Sequence, residues 1–176
     1  PTGTRRHDPP QRDVLEGQHP EDEEIHTLGS IISADQTNFV RYSKYGSTYT
    51  ITKGICAEYE DSYDVYKAET QNQEKLASLG YAPRLIIKDI CVIMDGTRFA
   101  LWISEDCGLP VGPQDVPAVN AYLDELYDRG IILTPYTPYS YMFVKGFDGN
   151  IRATDFKNTE FYTESIGKHN RKYLQI

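Results

Sequence analysis

The first third of the chain alternates apolar and polar positions in three short runs. Residues 25–32, 39–45 and 47–55 are rich in β-branched and aromatic side chains, which favour strands. Tyr45-Gly46 separates the second run from the third and predicts a tight turn. These runs therefore predict three strands of an antiparallel meander.

Residues 62–79 change period, because apolar residues recur there at the spacing of a helix. Gly80 follows the pattern and is a typical residue at a helix end. Glu69 lies on the same face as Val65 and Leu76, which is the face expected to pack inwards. Since a buried carboxylate needs a partner, the pattern predicts that Glu69 faces another polar or charged group.

The second half of the chain combines short strands with one further helix. Residues 85–94 and 97–103 flank Asp95-Gly96, which is a strong hairpin signal. After this hairpin a helix is predicted at residues 116–129, the apolar run 131–133 follows it, and two short strands are predicted at 141–145 and 150–154. The order β-β-β-α-β-β-α-β-β predicts an α+β fold rather than alternating βαβ units.

Composition and charge narrow the function classes. Of 176 residues, 39% are hydrophobic, and the net charge of −8 argues against a general nucleic-acid-binding surface. Residues 1–24 hold seven acids and three arginines. They are predicted to form a disordered arm or, alternatively, a peptide that docks on another subunit. No apolar run is long enough to span a membrane, and no signal peptide is expected.

Metal and disulfide chemistry is not indicated. Cys56, Cys91 and Cys107 contain no CxxC pair, and the four histidines lack the spacing of zinc ligands. Scarce cysteines of odd number predict a reducing compartment, so a cytoplasmic or other intracellular location is expected.

Four motifs follow one another between residues 25 and 162. The third predicted strand contains Lys53, and Glu69 lies on the helix after it. Residues 79–86 read Leu-Gly-Tyr-Ala-Pro-Arg-Leu-Ile, and residues 148–156 end in an Asp-Phe pair. In this order the motifs resemble the protein kinase family, and in particular the minimal, divergent kinases of large DNA viruses.

The resemblance implies two lobes and a nucleotide site. Residues 25–106 are expected to form a kinase-like N-lobe, a five-strand antiparallel sheet with one helix, and residues 107–176 a truncated C-lobe. Lys53 would pair with Glu69 and face the phosphates of ATP, and Asp155 would be the metal-binding aspartate of the family. These three are the residual nucleotide-site positions. From the pattern alone, the alternative is that Lys53 and Glu69 lie on solvated faces.

The catalytic loop departs from the family pattern. That loop reads His-x-Asp-x-x-x-x-Asn in kinases, and here Leu133, Pro135 and Ser140 stand at the three named positions. Proline has no side-chain proton acceptor, and no carboxylate lies between Arg129 and Asp148. A catalytic base is therefore not expected in this loop.

The segments that correspond to the phosphate-covering loop and to the metal site also differ from the kinase family pattern. Asp35 lies in the segment after Gly29, where the family uses several glycines so that backbone can approach phosphate. Lys157 replaces the glycine that follows Asp155-Phe156 in the family pattern. An ion pair between Lys157 and Asp155 is predicted to take the place of a metal.

These features predict a catalytically inactive kinase-like domain, or pseudokinase, that acts by binding another protein. No catalytic residue or metal is expected, and no cofactor beyond weak ATP binding at Lys53, Glu69 and Asp155. Two alternatives stay open: an active atypical kinase whose base comes from elsewhere, and a small α+β structural or virion protein unrelated to kinases. The Pro/Tyr loop 134–141 and the acidic segment 1–24 are candidate contact surfaces. The oligomeric state, and whether the chain is complete or a fragment, are left open.

Overall fold

The computed structural model describes the backbone of residues 11–12, 25–34, 38–45, 48–135, 142–156 and 158–175, and the side chains of those from residue 50 onwards. Within these ranges the chain is a mixed α+β fold, with antiparallel sheets and two α-helices. The α+β class predicted from the element order is confirmed. Neither helix is long and apolar enough to cross a membrane.

Six strands form the largest sheet, and every neighbouring pair in it is antiparallel. In chain order they are β1 (Gln11–Arg12), β2 (Ile25–Ala34), β3 (Asn38–Tyr45), β4 (Thr48–Cys56), β5 (Leu85–Met94) and β6 (Thr97–Glu105). Their spatial order is β1-β2-β3-β4-β6-β5. The sequence predicts five strands for this sheet, so the count is corrected to six.

The additional strand is β1, in which Gln11 pairs with Thr27 and Arg12 with His26. It lies inside the segment 1–24, for which composition predicts an arm. Pairing of this kind uses the free backbone N–H and C=O groups of an edge strand and leaves no hydrophobic pattern in the sequence. The other residues of that segment lie outside the described ranges.

The backbone confirms one predicted hairpin turn and one predicted helix with its C-terminal glycine. Asp95 and Gly96 have φ angles of 51° and 79°, the left-handed values that a tight turn between β5 and β6 requires. The first helix, α1, spans Ser62–Ser78, where a helix is predicted. Gly80 follows it with a φ of 86°, a conformation that glycine adopts at a helix end without a steric penalty.

Helix α1 packs on the large sheet through an aromatic pair and a polar network. The rings of Tyr66 and Trp102 meet edge to face, with centroids 5.6 Å apart. Gln73 is fully buried beside them, where it accepts from Trp102 Nε1 at 3.1 Å. Its amide nitrogen donates to Pro83 O at 2.9 Å and to Ser104 Oγ at 2.7 Å. Because its polar atoms have partners, this buried amide fixes the helix on the sheet.

The second half of the chain packs around helix α2 (Val116–Asp128). Five short strands accompany this helix: β7 (Leu109–Pro110), β8 (Ile131–Leu133), β9 (Phe143–Lys145), β10 (Ile151–Ala153) and β11 (Thr159–Phe161). They form two small antiparallel sheets, in the orders β10-β9-β7 and β11-β8. Leu123, Leu126, Phe143 and Phe156 are fully buried in the shared core. Strands β7 and β11 lie outside the elements predicted from the sequence.

Candidate functional site

A buried ion pair joins strand β4 to helix α1. Lys53 Nζ lies 3.0 Å from Glu69 Oε1, and the two side chains are only 9% and 7% exposed. The predicted pair is therefore confirmed. The alternative, in which both side chains lie on solvated faces, is wrong.

Three further groups surround the Lys53 ammonium. It donates a hydrogen bond to the backbone oxygen of Thr154. Its nitrogen lies 5.5 Å from the ring centre of Trp102 and 5.2 Å from that of Phe156. Since the faces of aromatic rings attract a cation, the ammonium is held by a carboxylate, a carbonyl and two rings.

Glu69 is the acceptor on which the site is built. Its Oε1 accepts from the backbone N–H of Phe156 at 3.1 Å as well as from Lys53. Burial raises the pKa of Glu69, the Lys53 ammonium opposes this rise, and the charge of Asp155 adds to it. Oε2 is buried without a hydrogen-bond partner among the described atoms. One oxygen thus accepts both of the described hydrogen bonds of the carboxylate.

Helix α1 also binds the segment that carries Asp155. Asn72 Nδ2 donates to Phe156 O at 2.9 Å, while Glu69 accepts from the N–H of the same residue. Residues three apart in a helix share a face, so two side chains of α1 bind both backbone groups of Phe156. Asp155, which is partly exposed, is thereby fixed next to the ion pair.

The three residues of the predicted nucleotide site therefore lie together. Lys53 and Glu69 are in direct contact, and Asp155 is flanked by Thr154 and Phe156, whose backbones bind that pair. The predicted ion pair of Asp155 with residue 157 lies outside the described residues. Whether the site binds a nucleotide stays a prediction.

The loop that the sequence resemblance aligns with the kinase catalytic loop begins in the core. Leu133 ends strand β8 and is buried, and the half-buried Pro135 follows two residues later. Residues 136–141, Ser140 among them, lie outside the described ranges. Leu133 and Pro135, which the predicted alignment places at the histidine and catalytic aspartate of kinases, have side chains that do not accept a proton.

The described residues give Asp155 no second available carboxylate for the metal that the resemblance implies. Proteins hold magnesium at nucleotide sites through one or two carboxylates together with phosphates and waters. In the part of the chain that the structure describes, no group of three or more His, Cys, Asp or Glu side chains is able to hold a metal ion. The neighbouring carboxylate, Glu69, is bound to Lys53 and to a backbone N–H. No step through a metal is therefore derived.

Sequence reasoning misses three contributors to this site. Asn72 carries the clearest signal, because its spacing of three from Glu69 places both on one helix face. Trp102 comes opposite Lys53 through the β4–β6 register, which the sequence alone does not define. Thr154 contributes a backbone oxygen, and no residue type signals that contact.

Comparison with known proteins gives no family assignment. No protein-family model matches the chain, and no curated protein matches it. Function must therefore be inferred from the geometry of the site itself.

Proposed function

We propose that the chain is a catalytically inactive kinase-like domain that acts as a protein-interaction or regulatory module. The observation that carries this proposal is the enclosed Lys53 ammonium, which binds Glu69 and the Thr154 carbonyl. In kinases the lysine that corresponds to Lys53 pairs with the helix glutamate and also faces the phosphates of ATP, whereas Lys53 binds the Thr154 carbonyl in addition to Glu69. The arrangement of Lys53, Glu69 and Asp155 supports the kinase-like interpretation, and the composition of the catalytic loop supports the loss of catalysis.

Phosphoryl transfer depends on positioning and on charge stabilisation. A kinase requires a carboxylate that accepts the hydroxyl proton, and metal ions that bridge the phosphates. Pro135 stands at the position of the first, and Asp155 is left to hold the second beside Glu69, whose Oε1 already accepts from Lys53 and Phe156. From these two losses we infer that the chain does not transfer a phosphoryl group.

The ion pair has a structural role in this proposal. An ammonium has three N–H groups, and two of those of Lys53 bind Glu69 and Thr154. The Lys53 side chain is only 9% exposed, so little of the ammonium is open to a triphosphate. Through these contacts the pair links β4, α1 and the segment that contains Asp155 and Phe156 into one fixed unit.

Exposed aromatic side chains support a role in protein contacts. Phe147 is 85% exposed in the turn between β9 and β10, and Tyr63 is 68% exposed on α1. Aromatic residues are enriched at protein interfaces, where they contribute much of the binding energy. The predicted contact loop 134–141 lies mostly outside the described residues, and these two side chains are the most exposed large apolar groups of the described structure, so they are the first contact candidates.

A phosphoryl-transfer assay tests the proposal. The purified chain and its Asp155→Ala variant are incubated with labelled ATP, magnesium or manganese, and a generic protein substrate. We expect no transferred label from either protein and no rise in melting temperature with ATP. Transfer that disappears in Asp155→Ala overturns the proposal in favour of an active atypical kinase. Stabilisation by ATP without transfer assigns a nucleotide-binding role to an inactive domain.

A further inference from the structure

Residues 162–175, called the strap here, return along helix α2 after strand β11. Tyr162 N–H donates to Gly130 O at 2.8 Å, and Ile166 N–H donates to Tyr127 O at 2.9 Å. The strap thus begins at the C-terminal end of α2 and runs back beside it.

Two side chains of α2 bind the strap through its backbone. Asn120 donates from Nδ2 to Leu174 O at 3.1 Å and accepts from Leu174 N–H at 2.8 Å. Two helix turns further on, the Tyr127 hydroxyl donates to Lys172 O at 2.6 Å and accepts from Lys172 N–H at 3.0 Å. Both contacts recognise peptide groups, which every residue except proline presents in full. They therefore select an extended backbone rather than a particular sequence.

Arg171 adds a sequence preference to this contact. Its Nη1 lies 2.9 Å from Asp124 and its Nη2 lies 2.8 Å from Asp128. The guanidinium also lies over the Tyr127 ring, 5.5 Å from its centre. Because Asp124 and Asp128 are one helix turn apart on one face, the fork of an arginine spans both, which the point charge of a lysine does less well.

Tyr173 and Leu174 complete the recognised segment. The Tyr173 hydroxyl donates to Asp124, and its ring meets that of Tyr127 edge to face at 6.0 Å. Leu174 is buried in the core cluster that contains α2. The helix therefore recognises an extended segment of the pattern Arg-x-Tyr-Leu.

The strap buries little apolar surface of its own. Within residues 162–175, Leu174 is buried, Ile166 and Arg171 are half-buried, and the rest are exposed. Apolar burial is the main source of folding stability, and segments with few buried apolar contacts open locally at low cost. Helix α2 has its own buried face, with Val119 and Leu123 fully enclosed. The helix is therefore expected to stay folded when the strap opens.

We propose that this face of α2 is a peptide-recognition site for extended partner segments of the pattern Arg-x-Tyr-Leu, which the strap occupies in cis. Asn120, Asp124, Tyr127 and Asp128 form the site. The arginine of a partner segment would bind the carboxylates of Asp124 and Asp128. Its backbone N–H and C=O groups would bind the Asn120 amide and the Tyr127 hydroxyl. The strap competes with the partner for these contacts. All of these contacts belong to α2, so the site is independent of the proposed kinase-like role.

A fluorescein-labelled peptide of residues 165–175, added to the full chain, tests the site. Arg171→Ala removes the fork from the strap and leaves α2 unchanged. In fluorescence anisotropy we expect the labelled peptide to bind the Arg171→Ala protein at least about tenfold more tightly than the wild type, in which the strap competes fully. The same peptide with alanine in place of its arginine should bind about tenfold more weakly.

Two further changes on α2 separate recognition from general charge. In the Arg171→Ala protein, Asp128→Asn removes one carboxylate of the site and should weaken peptide binding about tenfold. Glu125→Gln removes the same charge from an exposed position of the helix that makes none of the described strap contacts, and it should leave binding unchanged. Equal effects of the two changes, or no binding to a folded Arg171→Ala protein, would overturn the proposal.

If Arg171→Ala does not fold, hydrogen exchange in the wild type decides. The Lys172 and Leu174 amides should exchange at least about tenfold faster than the Leu123 amide in the core of α2, because the strap opens locally. Exchange of all three amides at one rate means that the strap opens only with the whole protein. The helix then has no state in which it accepts a partner, and the proposal is wrong.

Discussion

Phe156 donates its backbone N–H to the same Glu69 oxygen that pairs with Lys53. A single carboxylate oxygen therefore connects the large sheet, helix α1 and the segment after β10. Lys53 and Thr154, which meet in this cluster, are 101 residues apart in the chain. Loss of that oxygen should loosen contacts between parts of the protein that are distant in sequence.

We expect Glu69→Ala to be strongly destabilising. The change leaves the Lys53 ammonium buried without its anion, and breaking a buried pair in this way costs about 3 kcal/mol or more. Glu69→Gln keeps a hydrogen-bond acceptor of the same size, so it should cost less than Glu69→Ala. Chemical denaturation of the three proteins measures the free energies of unfolding.

Glu74→Ala is the matched control for that series. Glu74 lies on the same helix and pairs with Lys88 at 3.1 Å, but both side chains are nearly half exposed. An exposed pair is screened by water, so the cost should be within about 0.5 kcal/mol. If Glu69→Ala were no more destabilising than Glu74→Ala, the buried pair would have no structural role.

Gln73→Ala tests the polar network that holds α1 on the sheet. It leaves Trp102 Nε1 and Ser104 without the buried amide, and unsatisfied buried groups of this kind cost about 2 kcal/mol. Gln71→Ala, at an exposed position of the same helix, should change stability by less than about 0.5 kcal/mol. Equal melting temperatures for the two variants would show that the network contributes nothing measurable.

The sequence predicts the elements that are fixed by side-chain patterns better than those that are held by backbone hydrogen bonds. Helix α1 and the β5–β6 hairpin follow from periodicity and from Asp95-Gly96, and the inward Glu69 follows from its helix face. Strand β1 and the strap are held largely by backbone groups, which Gln11 and Lys172 share with nearly every other residue. The helix periodicity therefore predicts an inward Glu69, and the kinase resemblance adds Lys53 as its partner. Neither predicts the peptide contacts on α2.

Gly130→Ala should cost more than Gly149→Ala, although both glycines have left-handed φ angles, of 79° and 83°. A methyl group at Gly149 would meet nothing within 4 Å, so backbone strain alone should cost about 1–2 kcal/mol. At Gly130 the added carbon would lie 2.5 Å from Tyr162 O and 2.6 Å from Glu164 O. Because those backbone atoms start the strap, we expect a larger loss, of about 3 kcal/mol. Thermal unfolding of both variants that gave equal losses would contradict this packing.

The contacts between the strap and Asp124 make the free energy of unfolding depend on pH in the acid range. Hydrogen bonds from Tyr173 and Arg171 lower the pKa of Asp124 from its ordinary 3.8. The folded protein therefore binds this proton less readily than the unfolded chain. The stabilisation is present above pH 3.8 and is lost as the pH falls through the lower folded-state value.

Melting temperatures between about pH 6 and pH 3 measure this dependence. We expect the wild type to lose more stability over that window than Asp124→Asn, which has no proton to gain at this position. Glu125→Gln, on the same helix, should follow the wild type. Parallel curves for the wild type and Asp124→Asn would show that this carboxylate does not stabilise the strap.

Trp102 is the single tryptophan of the chain, and it lies fully buried between Lys53, Tyr66 and Gln73. Its indole is therefore a built-in optical reporter of the ion-pair site. Selective excitation of this ring records any displacement of the ammonium, or any entry of water around it, as a change in emission colour or intensity. Opening of the strap on α2 involves none of these contacts, so the same spectrum distinguishes events in the two halves of the molecule without an added label.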